Sequence, residues 1–280
     1  MPTHSSDHRW KAIDASAAPR RKAGQRLVVV SGGKPGVGAT TLAVNLAATL
    51  ASEALRVVLV DANLHGAGLA AQCGISAALG IHDVLSGQKT IHEALQRGAA
   101  GMQVLAGNTQ PDSRGSVNER SLQRLLRQMR SLEPYVDWLI VDAGNHPTDL
   151  AAQLWLIAEV VLLVTTPEAV AVMDTYALVK TLLARHSLPN PIELIVNQVD
   201  GAIGAADVHR RIDQSCRRFL GMSLNLAGEI PSSQRAALAA RQGSPAALSD
   251  SSDSWTQAII SIANRVTAAP RTAISAAKVA

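Results

Sequence analysis

The sequence predicts a doubly wound α/β fold, in which helices flank a mainly parallel β-sheet. Short aliphatic runs alternate with amphipathic segments along most of the chain, as expected for a succession of strands and helices. Several aliphatic runs end in a polar or glycine-rich motif, and a parallel sheet would gather these motifs at one edge. With 280 residues and 47% hydrophobic content, the chain is long enough to bury the core of one large domain.

The first element is an aliphatic strand that leads through a glycine-rich turn into a helix, with the sequence LVVVSGGKPGVGATT from Leu27 to Thr41. Backbone N–H groups at such a helix N-terminus point into one concavity and favour an anion, while glycines allow a close approach. We therefore predict a phosphate-binding loop. Its residues are Gly33, Lys34, Pro35, Gly36, Val37, Gly38, Ala39, Thr40 and Thr41.

This loop departs at one position from the phosphate-binding pattern G-x-x-x-x-G-K-[ST]. Gly33, Gly38 and Thr40 match the pattern, and the Thr40 hydroxyl is predicted to reach a magnesium ion. Ala39 stands where the pattern has a lysine that contacts phosphate. Because a charged hydrogen bond contributes roughly 1.5–3 kcal/mol, the loss of this lysine predicts nucleotide binding weaker by about ten- to a hundredfold.

Two later strands end in carboxylates. The run VVLVD ends at Asp61, and the run WLIVD ends at Asp142. Asp142 occupies the Walker-B position, where a carboxylate at the carboxyl end of a strand orients magnesium or its water shell. Because parallel strands share one carboxyl edge, Asp142 is predicted to lie close to the phosphate-binding loop.

Taken together, these motifs resemble those of the MinD/ParA family of P-loop ATPases. The run GKPGVGATT is similar to the family's deviant Walker A loop, GKGGVGKTT, with Pro35 for a glycine and Ala39 for the second lysine. The stretch from Gly80 to Leu95 resembles the G-L-x-D-V-L-x-G and L-x-E-A-L segments of MinD and FlhG relatives. The resemblance extends from about Arg26 to Thr267 and is closest to the FlhG/YlxH-type flagellar site-determining members.

The resemblance implies further binding residues and a cofactor. In this family the early lysine, here Lys34, reaches across a dimer to the partner's nucleotide. An asparagine, here Asn197, reads the adenine edge, and the G-x-I-P loop, here ending at Pro231, lies beside the base. The implied cofactor is ATP or ADP with Mg²⁺.

The family's V-D-x-D motif concerns both the metal and hydrolysis. Its first aspartate is retained as Asp61, which joins Thr40 and Asp142 in the implied metal site. Its second aspartate, which positions the attacking water, is replaced by Asn63. An amide cannot accept a proton as a carboxylate can, so water activation should be weakened. No catalytic residue is intact by this comparison, and ATP hydrolysis is expected to be slow or absent.

Composition indicates where the protein acts. No apolar run reaches the ~20 residues that a membrane span needs, and the N-terminus has no apolar segment for secretion. We expect a cytoplasmic protein that reaches the membrane or a cell pole only through a partner.

The chain is predicted to have one domain between two tails. Residues 1–25 are predicted to be a flexible basic tail, residues 26–268 the P-loop domain, and residues 269–280 a C-terminal tail. Neither tail has the features of a membrane anchor or a base-stacking surface, so nucleic acid is not an expected partner.

Three functions are compatible with these residues. The first is a MinD/ParA-like positioning protein that forms a homodimer around ATP and organises flagella, a division site or another polar machine through a protein partner. The second is a scaffold that no longer binds nucleotide, and the run GVGATT is also similar to the CpaE/TadZ pilus-localisation branch. The third, an active ATPase that partitions DNA, is disfavoured by Ala39 and Asn63. The sequence leaves open whether the chain is an enzyme.

Overall fold

The structure of the protein is a computed structural model that describes most of the chain. The described residues are 25–64, 66, 68–107, 117–184, 191–201 and 203–269. The two predicted tails fall almost entirely outside them, at residues 1–24 and 270–280. The domain boundaries at residues 26 and 268 therefore stay predictions.

The described residues form one eight-stranded sheet. Its strands are β1 (Arg26–Gly32), β2 (Val57–Asp61), β3 (Gln96–Arg97), β4 (Gln103–Leu105), β5 (Trp138–Asp142), β6 (Val160–Thr165), β7 (Ile192–Val199) and β8 (Asn225–Pro231). Their spatial order is β3-β4-β2-β5-β1-β6-β7-β8. Neighbouring strands pair in parallel except β3, which is antiparallel to β4 at one edge. This topology brings the carboxyl ends of the parallel strands to one edge of the sheet.

Helices cover both faces of the sheet. They are α1 (Ala39–Ser52), α2 (Gly68–Gln72), α3 (Ile81–Ser86), α4 (Ile91–Ala94), α5 (Glu119–Arg130), α6 (Asp149–Ile157), α7 (Ala169–Leu183), α8 (Ala205–Leu220), α9 (Gln234–Arg241) and α10 (Ser254–Ala268). Side chains cap several helix starts, as where Thr148 accepts a hydrogen bond from the Ala151 N–H. None of the helices in the described ranges is both long enough and apolar enough to cross a membrane.

The central strands are buried on both faces, which explains their nearly continuous aliphatic sequences. In β1, Leu27 and Val29 pack into the core beneath α3 to α8, whereas Val28 and Val30 pack into the core beneath α1, α2, α9 and α10. Side chains alternate between faces along a strand, so one five-residue run supplies both cores. The low aromatic content, 2% of the chain, leaves this packing to aliphatic side chains.

Arg26, at the start of β1, joins the first strand to the last helix. Its guanidinium forms a buried ion pair with Glu159 (Nε···Oε2 2.9 Å) and lies 4.6 Å from the centre of the Trp138 ring. The same group donates to the carbonyls of Thr267 and Ala269, each at 3.0 Å. These contacts fix the end of α10 at the amino end of β1, away from the edge where the sequence motifs gather.

A buried hydrogen bond joins α6 to the end of β1, since Trp155 Nε1 donates to Ser31 Oγ at 2.9 Å. We expect Trp155→Phe to lower the free energy of unfolding by about 1–2 kcal/mol, because it removes this bond and leaves a small cavity. Urea denaturation followed by circular dichroism measures the loss. Ser31→Ala and the double variant complete a double-mutant cycle, and purely additive effects would contradict a contribution from the bond.

The observed sheet confirms the predicted doubly wound, mainly parallel fold. The helix after the glycine-rich turn and the strands ending at Asp61 and Asp142 are also present. One strand differs, because the sequence predicts an end at Asn197 whereas β7 continues to Val199. The pairing of β7 with β8 shifts register between Val196 and Val199. Such a bulge breaks the alternating pattern on which a sequence-based strand prediction depends.

Candidate functional site

The sequence motifs meet in one cleft at the carboxyl edge of the sheet. The cleft has a volume of about 390 Å³ and is bounded by the glycine-rich loop after β1, by Asn63 after β2, by Gly144 and Asn145 after β5, and by the ends of β7 and β8. The topology changes direction beside β1, which is where open α/β sheets bind their ligands. The predicted loop residues that line the cleft are Lys34, Pro35, Gly36, Val37, Gly38, Ala39, Thr40 and Thr41.

The glycine-rich loop forms a cradle at the start of α1. Gly36 and Gly38 have φ values of +85° and +91°, a conformation that residues with a side chain rarely adopt. No side chain caps α1, and within the described chain the N–H groups of Gly38, Ala39 and Thr40 donate to no backbone carbonyl. These unpaired donors, together with the positive end of the helix dipole, form a site for an anion such as phosphate.

Gly33, at the start of the loop, packs directly on α7. A Cβ atom added to Gly33 would lie 2.5 Å from the backbone N and Cα atoms of Thr175, so only glycine fits. The Gly33 N–H also donates to the Val164 carbonyl of β6 at 3.3 Å. Gly33 therefore does not line the cleft but fixes the position from which the loop leaves the sheet.

The lysine of the glycine-rich loop forms an ion pair within its own chain. Lys34 Nζ forms an ion pair with Glu168 Oε2, just before α7, at 2.8 Å. Both side chains are partly exposed to solvent. Ala39, at the position of the missing lysine, presents only a methyl group to the cleft. The phosphate cradle of this protomer is therefore built from backbone donors, with no lysine directed into it from position 39.

Three predicted metal-site residues lie beside the cradle. The Thr40 hydroxyl donates to Asp142 Oδ2 at 2.5 Å. Asp61 and Asp142 are register partners on the adjacent strands β2 and β5, and both are buried. Asp61 Oδ1 accepts a hydrogen bond from the Asn63 N–H at 3.1 Å, whereas Asp61 Oδ2 is buried with no hydrogen-bond partner among the described residues.

Burial controls the protonation of both carboxylates. Loss of solvation raises the pKa of Asp61 well above its usual value, and the neighbouring charge of Asp142 raises it further, although the nearby backbone N–H groups of Asn63, Gly107 and Leu69 oppose this shift. Burial also raises the pKa of Asp142, although hydrogen bonds from the Thr40 hydroxyl and the Gly144 N–H oppose this shift. Two buried carboxylates side by side need either a proton or a cation to balance their charge.

These residues fit a magnesium ion. Mg²⁺ prefers oxygen ligands and usually retains several waters, so a hydroxyl and two carboxylates suit it. The unpartnered Asp61 Oδ2 atom is an acceptor that the folded chain leaves unsatisfied, and the hydroxyl of Thr40 would contribute the ligand that P-loop proteins supply. A bound Mg²⁺ would neutralise phosphate charge beside the cradle. The described chain contains no group of three or more His, Cys, Asp or Glu side chains that could hold a metal, so this site depends on two carboxylates and one hydroxyl.

Asn63 is held close to the turn after β5. A Cβ atom added to Gly144 would lie 2.6 Å from Asn63 Cγ, so the carboxamide occupies the space that the glycine leaves open. Gly144 itself is fixed, since its N–H donates to Asp142 Oδ1 at 3.0 Å and its carbonyl accepts from Gly32 at 3.0 Å. The structure thus brings Asn63 to the cleft and to the metal-site strands, as an amide rather than a carboxylate.

The end of β7 contacts the loop through two consecutive amides. Asn197 Nδ2 donates to the Val37 carbonyl at 2.8 Å, and Gln198 Nε2 donates to the Gly36 carbonyl at 3.0 Å. The Asn197 amide thus braces the loop in addition to lining the cleft. Gln198 was not among the residues predicted to contribute to the site, because nothing in the sequence indicates that its backbone has a φ of +59°.

The opposite end of the cleft is lined by apolar and small side chains. Pro231, predicted to lie beside a base, is part of this lining. Trp255 and Ile259 also line the cleft, although no motif in the sequence predicts it, because they come from α10 and reach the cleft only through the packing of that helix on the sheet. Apolar side chains at one end of a cleft suit one face of a nucleobase. The lining here consists of Ile230, Pro231, Ser233, Ala236, Ala237, Trp255 and Ile259.

Comparison with protein families matches nearly the whole described domain. The model of the ParA family, described as NUBPL iron-transfer P-loop NTPase, matches residues 23–267. The matched segment contains the glycine-rich loop, both metal-site strands and the end of β7.

Three curated relatives have related sequences. The antiactivator FleN of Pseudomonas aeruginosa is 27% identical over 206 residues, which cover 74% of this chain and 73% of FleN. The septum site-determining protein MinD of Synechocystis is 29% identical over 230 residues, covering 79% of this chain and 81% of MinD. The iron-sulfur cluster carrier protein of Deinococcus radiodurans is 28% identical over 262 residues, covering 90% of this chain and 71% of the carrier.

Solved structures share the fold. MinD of Pyrococcus horikoshii, complexed with Mg-ADP, has a TM-score of 0.71 with 23% identity, covering 86% of this chain and 96% of that protein. The MinC:MinD complex of Aquifex aeolicus gives a TM-score of 0.71 with 23% identity, covering 88% of this chain and 97% of the matched chain. At this level of identity, the likeness establishes the common architecture.

Proposed function

Because this chain belongs to the ParA/MinD family of P-loop NTPases, we propose that it is a nucleotide-dependent positioning protein that binds Mg·ATP and hydrolyses it slowly or not at all. The observation that carries the proposal is a cradle of unpaired backbone N–H groups in a cleft where two of the family's charged side chains are replaced. The loop around Gly38 retains its unpaired N–H groups, and Thr40 meets Asp142 at 2.5 Å. Ala39 and Asn63 nevertheless remove a phosphate-binding cation and a carboxylate from the same cleft.

The relatives support a role in spatial organisation. FleN is an antiactivator, MinD of Synechocystis is a septum site-determining protein, and YlxH of Helicobacter pylori is a flagellum site-determining protein. We infer that this chain acts in the number or placement of flagella, at a division site or in another polar machine. It would do so in the cytoplasm and through a protein partner, which would recruit it to the membrane or a pole.

Slow hydrolysis follows from the electrostatics of phosphoryl transfer. Catalysis of this reaction depends mainly on preorganised positive charge around the transferring phosphoryl group and on an oriented water. Ala39 supplies no charge to the cradle, and the Asn63 amide cannot act as a general base. Mg²⁺ held by Thr40, Asp61 and Asp142 would then serve nucleotide binding more than turnover.

We further propose that ATP is bound between two copies of the chain. Lys34 is partly exposed at the rim of the cleft, where its ion pair with Glu168 can exchange for a phosphate of a second protomer. We expect Lys34→Ala to abolish Mg·ATP-dependent dimerisation, because the cradle has no other lysine to offer. Loss of the exposed ion pair should change the free energy of unfolding by less than about 1 kcal/mol.

Light scattering after size-exclusion chromatography, with and without Mg·ATP, measures this effect. Lys180→Ala, which removes an exposed lysine of α7 away from the cleft, is the matched control and should dimerise normally. Dimerisation that survives Lys34→Ala would contradict the proposed role of Lys34.

An iron–sulfur function is not proposed, although one relative is an iron-sulfur cluster carrier protein. Clusters are held by cysteine thiolates, and this chain has two cysteines, Cys73 and Cys216. Both are buried, and they belong to the cores on opposite faces of the sheet. Burial raises the pKa of Cys73 to about 12 and that of Cys216 to about 11, with nearby carboxylates adding to each shift. Such thiols are poor metal ligands.

A scaffold without nucleotide is the second candidate function. The observation that favours it is the Lys34–Glu168 ion pair, which together with Ala39 leaves the cradle of one protomer without a cation. Pro35 also removes one backbone donor from the loop. In this case the fold would persist as an interaction surface, as in the CpaE/TadZ-like hypothesis drawn from the sequence.

Calorimetric titration of Mg·ATP into the wild-type protein distinguishes the two functions. Binding in the micromolar range would support a nucleotide-dependent protein in which Thr40, Asp142 and the loop form a working site. No detectable heat at millimolar nucleotide would contradict the proposal and favour the scaffold. Phosphate release measured in parallel would show whether a bound nucleotide is turned over.

A further inference from the structure

The cleft joins two parts that come from distant segments of the chain. The phosphate side is formed by the glycine-rich loop and the first turn of α1, whereas the apolar side is formed by the end of β8, α9 and α10. A nucleotide that fills the cleft contacts both parts, because its phosphates lie at one end and its base at the other. Its affinity therefore depends on how firmly the two parts are held at the right separation before it binds.

Asn45 is a polar side chain of α1 that the fold buries. It is 2% exposed, and its neighbours in the chain, Val44 and Leu46, are buried aliphatic residues. Asn45 Nδ2 donates to the Thr41 carbonyl at 2.8 Å, and Asn45 Oδ1 accepts from the Ala247 N–H at 2.9 Å. Both polar atoms of the carboxamide thus have a partner, one 4 positions away in the same helix and the other 202 positions away.

Ala247 belongs to a short 3₁₀ turn, Ala246–Leu248, that lies between α9 and α10 along the chain and packs against α1. Arg235, near the start of α9, holds this segment together, since its guanidinium donates to Ser249 Oγ and to Asp253 Oδ2, each at 2.6 Å. Asp253 is the N-cap residue of α10. α9, the 3₁₀ turn and α10 together form the apolar wall of the cleft. The hydrogen bond from the Ala247 N–H therefore ties the apolar wall to α1.

This hydrogen bond fixes the geometry of the contact between α1 and the apolar wall. A hydrogen bond weakens steeply away from its preferred distance and angle, whereas apolar packing is not directional. Buried polar groups whose partners are present rigidify a core and specify one arrangement of it. Asn45 therefore holds the apolar wall at one position relative to α1. Thr41, whose carbonyl accepts from Asn45, lines the phosphate side of the cleft.

We propose that Asn45 is a positioning residue for nucleotide binding, which sets the separation between the phosphate cradle and the apolar wall. Asn45 is not part of the lining of the cleft and acts through Thr41 and Ala247. With the separation preset, a nucleotide contacts both parts without having to order them, and its affinity is higher by the cost avoided. This inference rests on the proposed function, because it requires that the cleft bind a nucleotide.

The competing role of Asn45 is purely structural. The Ala247 N–H donates to no backbone carbonyl of the described chain, so the carboxamide satisfies a donor that would otherwise be unpaired. A structural role alone predicts a lower free energy of unfolding when the carboxamide is removed, with no effect on how the two ends of a nucleotide are bound together. A ligand that has phosphates but no base separates these roles, since it needs the cradle and not the apolar wall.

Calorimetric titration of Mg·ATP and of magnesium tripolyphosphate into the wild-type protein and Asn45→Ala tests the proposal. Asn45→Ala should weaken ATP binding by about tenfold, the cost of ordering a loosened part on binding, and tripolyphosphate binding by less than about twofold. Tripolyphosphate is measured by competition with ATP where its own heat is small.

Two further variants sharpen the comparison. Asn45→Ser should reproduce the loss of ATP affinity, because a serine hydroxyl bonds the carbonyl four residues earlier but is one bond too short for Ala247. It retains a bond within α1, so it carries the same test should Asn45→Ala fail to fold. Thr49→Ala truncates another buried side chain of α1, whose Oγ1 has no hydrogen-bond partner in the described chain. This variant is the matched control and should leave both affinities as they were.

Two outcomes would overturn the proposal. One is an ATP affinity that Asn45→Ala and Asn45→Ser leave unchanged, and the other is a loss of tripolyphosphate affinity as large as the loss of ATP affinity. If wild-type binding of ATP is below detection, the comparison is made in the Ala39→Lys background. Absence of ATP binding in both backgrounds would contradict the proposed function as a whole, whereas an unaltered ratio of the two affinities contradicts only this inference.

Discussion

Ala39→Lys is expected to tighten Mg·ATP binding by about ten- to a hundredfold, since a charged hydrogen bond to phosphate contributes roughly 1.5–3 kcal/mol. The substitution is local, because Ala39 already lines the cleft at the first residue of α1. The surrounding cradle needs no rebuilding. Its N–H groups at Gly38 and Thr40 donate to no backbone carbonyl of the described chain, and Thr40 already contacts Asp142.

Calorimetric titration of the wild-type protein and the variant under the same conditions measures this change. Ala39→Met is the matched control, since methionine has nearly the length of lysine but no charge, and it should not tighten binding. An Ala39→Lys protein that binds no more tightly than the wild type would mean that the altered loop, including Pro35, cannot accept phosphate. That result would favour the scaffold function.

Asp61→Asn is expected to stabilise the nucleotide-free protein at neutral pH, by an amount on the order of 3 kcal/mol, which is typical of a buried charge that lacks a cation partner. Burial raises the pKa of Asp61 in the folded state, and Asp142 raises it further. The folded state therefore binds this proton more tightly than the unfolded state does. The contribution of Asp61 to stability is full below the unfolded pKa, near 3.9, and is lost as the pH rises through the folded pKa.

Urea unfolding of both proteins between about pH 4 and pH 8 measures this difference. The two free energies of unfolding should be similar near pH 4 and diverge as the pH rises. Asp253→Asn is a control of opposite sign, because its hydrogen bond from Arg235 lowers the pKa of Asp253 in the folded state. A wild-type protein that is more stable than Asp61→Asn at neutral pH would contradict the assignment of Asp61 as an unneutralised cation ligand.

Local motifs accounted for much of the fold and of the phosphate side of the cleft. The strand, turn and helix from Leu27 to Thr41 form one contiguous segment, and its hydrophobic periods and glycines predicted both the elements and the cradle. Asp61 and Asp142 were likewise predicted from their places at strand ends. Their position at strand ends was enough to bring them together, because the carboxyl ends of parallel strands lie at one edge of the sheet regardless of how the side chains pack.

The base side of the cleft was less predictable. Asn197 and Pro231 were implied by resemblance, but Gln198, Trp255 and Ile259 carry no local signal of a binding role. Gln198 takes part only because a bulge gives it a φ of +59°. Trp255 takes part only because α10 packs against β8 and α1 on one face of the sheet. A hydrophobic or amide side chain has the same appearance in a sequence whether it fills a core or borders a cleft.

The sequence by itself determined the doubly wound fold, the phosphate-binding loop and the two substitutions that alter its chemistry, because each depends on residues that are close along the chain. Tertiary structure alone decided which distant residues contact the groups of the cleft. Lys34 pairs with Glu168 across 134 positions, and Asn197 holds the Val37 carbonyl across 160 positions. Asp61 Oδ2 was left buried without a partner by the packing of its surroundings. Such contacts depend on where separate elements meet, which local patterns do not encode.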